Sequence, residues 1–419
     1  MTANGAHTMS SSSSESPSLS TASPLSRQLI ADMTTWRQHL HQFPECGFDV
    51  NLTADFIAEK LESFGIQVER NIGKTGLVGI LRSGDSSDSG EKAASIGLRA
   101  DMDALHIHEQ NTFAHCSKHD GKMHACGHDG HSAMLLGAAC YLAQHPHFNG
   151  TVYFIFQPDE EHGCGAQAMI DDGLFERFSI DEVYGIHNFP GLAEGELMVR
   201  PGSLMASESG FEITIKGIGG HAALPHQGID PMVVGAQVIL GLQTIVSRNL
   251  SAISDTAVVS ATEFITDGTV NVIPTQVTIK GDCRCFTEAT LARIEESMAR
   301  IVAGICQAAG ASHSFTFTNT FYPTVNAKAQ TAYAVDAARK VLGTDKVNAE
   351  CEPLTISEDF SSMLRVKPGC YVLLGNGVDS VGGCALHNPE YDFNDRILPL
   401  GARYWIQLVN DRLSTAMVD

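Results

Sequence analysis

Met123-His-Ala-Cys-Gly-His-Asp-Gly-His131 leads straight into an apolar run at 133–142, and Thr151-Val-Tyr-Phe-Ile-Phe156 follows it. The first run has the length of a helix; the second is short and rich in β-branched and aromatic residues, as a buried strand is. Strand and helix alternate on either side. Toward the N-terminus, 76–81 and 94–98 read as short apolar strands, separated by a polar hairpin or loop at 83–91. Earlier still, Leu29, Met33, Trp36 and Leu40 recur at helical spacing. Phe43-Pro44-Glu45 breaks that helix, and Asn51 or Thr53 is expected to cap a second one, which stops at Gly65. Downstream come a helix at 165–175 and a strand at 182–186. Buried strands interleaved with helices predict an α/β fold, a sheet covered on both faces.

The texture changes near Ser207. Alternating strands are expected at 211–216, 257–264, 277–286 and 314–318, with helices at 231–246 and 290–309. The α/β pattern then resumes with a helix at 329–342, a strand at 370–374 and a closing helix at 400–413. The expected organisation is therefore a discontinuous domain, 25–206 and 317–419, interrupted by a smaller α+β domain at 207–316. Residues 1–24, with Ser10 to Ser14, have the composition of a disordered tail and lack the apolar core of a secretory signal.

A formal net charge of -21 argues against nucleic acid or an anionic membrane as partner. No uninterrupted apolar stretch approaches the roughly 20 residues of a membrane helix. Eleven scattered cysteines fit reduced thiols in a cytoplasm better than a disulfide framework.

The chemistry-bearing residues cluster at expected strand ends, where open α/β sheets bind ligands. Cys126 and His128 flank Gly127, which lets the backbone bend closely around whatever they hold. Thiolate plus imidazole suits Zn²⁺ or a similar divalent ion; the plainer reading is an inert buried thiol beside a hydrogen-bonded histidine. Glu160-Glu161 follows Gln157-Pro158 directly. On a surface loop such a pair is a solvated acidic spot. At a sheet edge its diverging side chains let one carboxylate face a metal while the other deprotonates a water whose pKa the metal lowers. His187 lies in Gly185-Ile-His-Asn-Phe-Pro190 and His387 in Ala385-Leu-His-Asn-Pro389. Cys126, His128, Glu161, His187 and His387 make five potential ligands, enough for two metals sharing a bridge.

Seven segments now carry a family resemblance. They are Leu98-Arg-Ala-Asp-Met-Asp-Ala-Leu105, the 123–131 motif, Phe156-Gln-Pro-Asp-Glu-Glu161, Gly219-Gly-His-Ala-Ala-Leu-Pro-His226, Asn271-Val-Ile-Pro274, Ser357-Glu-Asp-Phe360 and Leu386-His-Asn-Pro389. In order and spacing they resemble the M20 metallopeptidases, in the branch of hippurate hydrolases, N-acyl-amino-acid amidohydrolases and plant indole-acetyl-amino-acid hydrolases. The resemblance implies a di-metal site at Cys126, His128, Glu161, His187 and His387, with Glu160 as general base and Asp101 as a carboxylate orienting an imidazole ligand. It implies that the inserted domain is a lid and dimerisation domain. From there His221 reaches the partner's site to support the oxyanion, and Asn271 and Arg284 contact substrate, Arg284 gripping an α-carboxylate bidentately. The structural alternatives are a turn-shaping role for Asn271 and a surface ion pair for Arg284. Arg99 stands where the wider superfamily has a metal-binding histidine, so the bridging ligand stays open, as does the choice among Zn²⁺, Mn²⁺, Co²⁺ and Ni²⁺. Asp159 replaces a usual small residue; it is expected to tune Glu160, to bind a substrate amine or to face solvent. His106, His108, His115, His119, His124 and His131 read as solvated loop histidines, with His124 a candidate neighbour of the ligands.

The leading expectation is a homodimeric di-metal hydrolase releasing an amino acid from its N-acyl or N-aroyl amide. The enzyme alternatives are an N-acetyl-diaminopimelate-type deacetylase or a dipeptidase. The non-enzyme alternative binds metal and ligand without turnover, and an intact Glu160 argues against it.

Overall fold

The computed structural model describes residues 25–84, 94–379 and 382–414; the Ser-rich segment 1–24 and most of the connection at 83–91 lie outside the described residues. Eight strands form a mixed sheet. Their order is Gln67–Ile72, Gly76–Ser83, Gly150–Gln157, Ser95–Asp101, Glu182–Pro190, Gly369–Gly377, Leu197–Met198, Val347–Asn348. Its middle is parallel: Gly150–Gln157 beside Ser95–Asp101, then Glu182–Pro190, then Gly369–Gly377. The two strands on either side of the connection at 83–91 do not pair with each other. Gly76–Ser83 and Ser95–Asp101 flank Gly150–Gln157 on opposite sides.

The period of two along the strands sorts the core into layers. Phe154 and Phe156 face one way, with Leu98 and Ile186, against helices Arg27–Gln42, Asn51–Ser63, His128–Gln144, Lys328–Leu342 and Leu398–Arg412. Tyr153 and Ile155 face the other way, with Val183 and Tyr371, against helices Gly165–Asp171 and Phe360–Val366. Each such buried side chain stabilises the fold by about 1.5–3 kcal/mol. The cap expected on the second helix comes from elsewhere. Asn51 and Thr53 lie inside it, and the Glu45 carboxylate accepts from the Thr53 backbone N–H at 2.8 Å and from its hydroxyl at 3.0 Å. The Pro44-Glu45 break thus also starts the next element.

The second sheet is antiparallel, ordered Ala257–Thr266, Gln276–Cys285, Glu208–Lys216, Ser312–Phe321. Its last strand runs past the boundary expected at 316. Helices Pro231–Thr244 and Glu288–Ala309 cover one face, where Val238, Leu242, Ile294 and Met298 pack on Ile213 and Ile279. One helix among the described residues, Pro231–Asn249, is long and apolar enough by length and composition to cross a membrane, at a mean hydropathy of 1.2, although polar residues interrupt it. It puts Val234, Val238 and Leu242 onto the sheet, while Val233 and Leu240 point away from it into the open.

Candidate metal centre

Two of the expected site segments belong to strands rather than to the loops after them. Arg99 and Asp101 lie in Ser95–Asp101, and His187 in Glu182–Pro190. Pleated, hydrogen-bonded backbone therefore aims these groups, which is stiffer than a loop. Helix His128–Gln144 begins on the expected ligand His128 itself. Gly127 before it has φ +98°, and a Cβ there would stand 2.2 Å from Asn188 Oδ1. Only glycine permits this turn, which separates Cys126 from the helix and turns it toward His128 and His187.

The five expected ligands come together. Cys126 Sγ lies 3.4 Å from His187 Nε2, His128 Nε2 lies 3.8 Å from Glu161 Oε1, and His387 Nε2 lies 3.5 Å from Glu161 Oε2. Cys126, His128 and His187 form one set with donor atoms within 4.8 Å of one another; Cys126, Glu161 and His387 form a second. Cys126 is common to both. Ligands about 2.0–2.3 Å from a tetrahedral ion stand roughly 3.3–3.8 Å apart, which is the spacing here. Moreover, His128 Nε2 and Glu161 Oε1 are buried with no hydrogen-bond partner among the described residues, although they face each other. Orphaned atoms of this kind are costly unless a cation sits between them. The donor set fits a divalent pair.

The second nitrogen of each buried imidazole ligand is held. His128 Nδ1 donates to the Asp103 carbonyl at 2.8 Å, and His187 Nδ1 donates to the Asn188 carbonyl at 2.6 Å, which leaves both Nε2 atoms free for a metal. The Asp103 carboxylate also accepts from the Glu161 N–H at 3.2 Å. The His387 N–H donates to the Ala125 carbonyl at 2.8 Å, and His387 takes the left-handed φ of 63°, uncommon for a non-glycine residue. These bonds tie four separate loops and strands into one cradle.

Charge points the same way. Glu160 is buried beside Glu161, with a carboxylate oxygen within 4.8 Å of those of Glu358 and Asp359. Burial, then Glu358 and Glu161, push its carboxyl well above the ordinary range. Burial, aided by Asp103 and Asp101, lifts Glu161 to about 7 although His128 opposes it. Burial, Glu161 and Glu160 hold the Cys126 thiol well above its usual value. Burial alone would lower His128, yet Asp101 and Asp103 outweigh it and raise the ring to about 10. A field that retains a proton on a buried imidazole is one that attracts a metal cation.

Asp101 does not have the partner expected of it. Its Oδ1 accepts from His131 Nδ1 at 2.6 Å and its Oδ2 pairs with Arg99 at 2.7 Å, while His128 Nε2 stays 3.8 Å away. His131 is therefore no solvated loop histidine. It is fully buried, and its Nε2 accepts from the Asn188 backbone N–H at 3.0 Å, joining Asp101 to the residue after the ligand His187. His124 is likewise fully enclosed, whereas His106 and His108 are exposed. Arg99 is buried and bound to Asp101, Glu358 and Asp359. Asp159 turns away from the site: its Oδ1 accepts from His162 Nδ1 at 2.6 Å, and a φ of 52° suits its short polar side chain. Sequence reading assigns no role to Asp103, His131, Asn188 or Glu358, although all four lie in the motif segments at 98–105, 123–131, 185–190 and 357–360.

A cavity of about 470 Å³ opens over the centre, lined by Cys126, Glu160, Glu161, His187 and His387 on one side and by Glu208, Arg284, Phe321 and Ser357 on the other. Arg284 is thus at the cavity wall. His221 and Asn271 are not. They meet each other, with the Ala222 N–H donating to the Asn271 carbonyl and His221 paired with Val272, on an exposed ribbon outside the cavity lining.

Residues 97–411 match the profile of Peptidase family M20/M25/M40. The chain is 39% identical over 372 residues to hippurate hydrolase of Campylobacter jejuni, covering 89% of this chain and 94% of that one. It is 40% identical over 302 residues to N-acyl-L-amino acid amidohydrolase of Geobacillus stearothermophilus, covering 71% and 79%. The solved YXEP protein of Bacillus subtilis, a dinuclear metal binding peptidase from the M20 family, superposes with a TM-score of 0.79 at 31% identity, covering 93% of this chain and 99% of that one. Fold, metal-ligand constellation and sequence agree: the chain belongs to peptidase family M20/M25/M40.

Proposed function

We propose that this protein hydrolyses the amide bond of N-acyl or N-aroyl amino acids, using two divalent ions, Zn²⁺ or Mn²⁺ with Co²⁺ or Ni²⁺ as substitutes. Cys126, His128, Glu161, His187 and His387 would hold them, Cys126 being the residue common to two of the donor groups. The similarity to hippurate hydrolase and to N-acyl-L-amino acid amidohydrolase supports the substrate class. The observation that carries the reading is Glu160, a buried acid at the cavity that lies beside His128 and Glu161 but in neither group that contains Cys126. A pure binding site has no use for it.

Bound ions would polarise the scissile carbonyl and acidify the attacking water. Glu160 takes the water's proton and returns it to the leaving nitrogen. A carboxyl raised by burial and by Glu358 suits a group that must keep that proton between two steps. Asp103 and Asn188 keep the imidazole ligands in register; Arg284 faces the amino-acid end of the substrate.

Residues 25–206 and 317–419 form the catalytic unit in this reading, with 207–316 as its lid. His221 and Asn271 act on the cavity of a second copy, His221 donating to the developing oxyanion. The unpaired edge strand Ala257–Thr266, with Val258 and Ile265 exposed, continues beside outward-facing Val233 and Leu240 and supports a homodimer through the lid. Eleven unpaired cysteines support a cytoplasmic setting. The test is a panel of N-benzoyl and N-acetyl amino acids and dipeptides, assayed after chelation and with each metal restored. Turnover of N-acyl amino acids only with metal is expected; metal-independent turnover, or dipeptides as the sole substrates, refutes it.

A further inference from the structure

The guanidinium expected to hold the substrate carboxylate is already engaged. Antiparallel register pairs Cys283 with Ser209, so one step further Arg284 stands opposite Glu208, where cross-strand side chains touch. Arg284 Nη1 pairs with Glu208 at 2.8 Å and donates to Ser357 Oγ at 2.9 Å, and its Nε pairs with Asp282 at 3.0 Å. A bidentate grip needs two adjacent N–H groups. With Nε and Nη1 both committed, the grip anticipated for Arg284 is closed. Two carboxylates surround this single cation, and one of them, Glu208, shares the cavity wall with it.

We propose that Glu208 is a specificity-determining residue that sets the charge preference of the amino-acid end of the cavity. Its carboxylate occupies a donor that a bidentate grip requires, so a free carboxylate grips Arg284 in that way only by displacing Glu208. An amide-capped end has no such competitor. Asp282 lacks this function because it holds Nε and, unlike Glu208, does not line the cavity. Both groups are partly exposed and attached to the same chain, which makes the competition modest in size and tunable by one substitution.

This inference rests on the amidohydrolase reading, and the test separates the two. Benzoate release is measured from N-benzoylglycine and from N-benzoylglycinamide, with wild type and Glu208→Gln. The ratio of kcat/KM for the acid over the amide should rise about fivefold in Glu208→Gln, the size of a partly exposed ion pair, and the rise should vanish when Arg284→Gln is combined with it. An unchanged or lower ratio overturns the proposal, as does a rise that survives Arg284→Gln. Calorimetric binding of the same two compounds gives a readout without turnover. If wild type hydrolyses neither compound but Glu208→Gln still binds the acid preferentially, the hydrolase reading falls and the charge gate stands. If neither protein prefers either compound, the gate falls.

Discussion

Loading the metal-free protein with Zn²⁺ at pH 7 is expected to expel two to three protons. Cys126 holds its thiol proton, because burial and then Glu161 and Glu160 keep it well above its usual range. His128, raised to about 10 by Asp101 and Asp103 against its burial, is an imidazolium. Glu161, lifted to about 7, is half protonated. A metal takes thiolate, neutral imidazole and carboxylate. One proton therefore leaves the thiol, one leaves His128 and about half of one leaves Glu161, so affinity should rise by roughly two to three powers of ten per pH unit near pH 7. Calorimetric titrations in buffers of different ionisation enthalpy count the protons directly. Release of less than one proton, or affinity falling as pH rises, would refute the assignment of this cluster as the metal site. Cys126→Ala should remove the shared ligand and lower the bound metal below one ion per chain.

Glu160→Gln should keep two metals and lose about 10²–10⁴ in kcat, the usual yield of a positioned general base; near-wild-type benzoate release would contradict the mechanism. Buried His41 accounts for a separate, structural pH dependence. Burial would lower it, but hydrogen bonds to Asp129 and Glu109 raise it to about 9. A raised histidine stabilises the fold fully below its unfolded value near 6.5 and loses that contribution as pH climbs through about 9, an effect of about 3 kcal/mol. Urea unfolding at pH 6 and pH 9.5 should show this drop in wild type and not in His41→Gln. Val258→Lys with Ile265→Lys should yield monomers by sedimentation and reduce kcat with them; full activity in a monomer would exclude delivery of His221 from a second copy.

Much of the site was legible in the sequence because its ligands are chemically distinctive and lie in short motifs. Cys126-Gly-His128, Glu160-Glu161 and the two His-Asn pairs can be recognised without coordinates, and strand-length apolar runs announced the sheet. The sequence by itself determined the α/β class, the inserted second unit and the five residues that converge. Tertiary structure alone decided the rest. Strand order, with Gly150–Gln157 between Gly76–Ser83 and Ser95–Asp101, depends on which edges pair, and no single segment encodes that. The partners of Asp101, the burial of His131 and the engagement of Arg284 by Glu208 join residues 30, 57 and 76 positions apart. Short side chains reach such partners only after the chain has folded; local pattern therefore names the chemical groups, and packing assigns their neighbours.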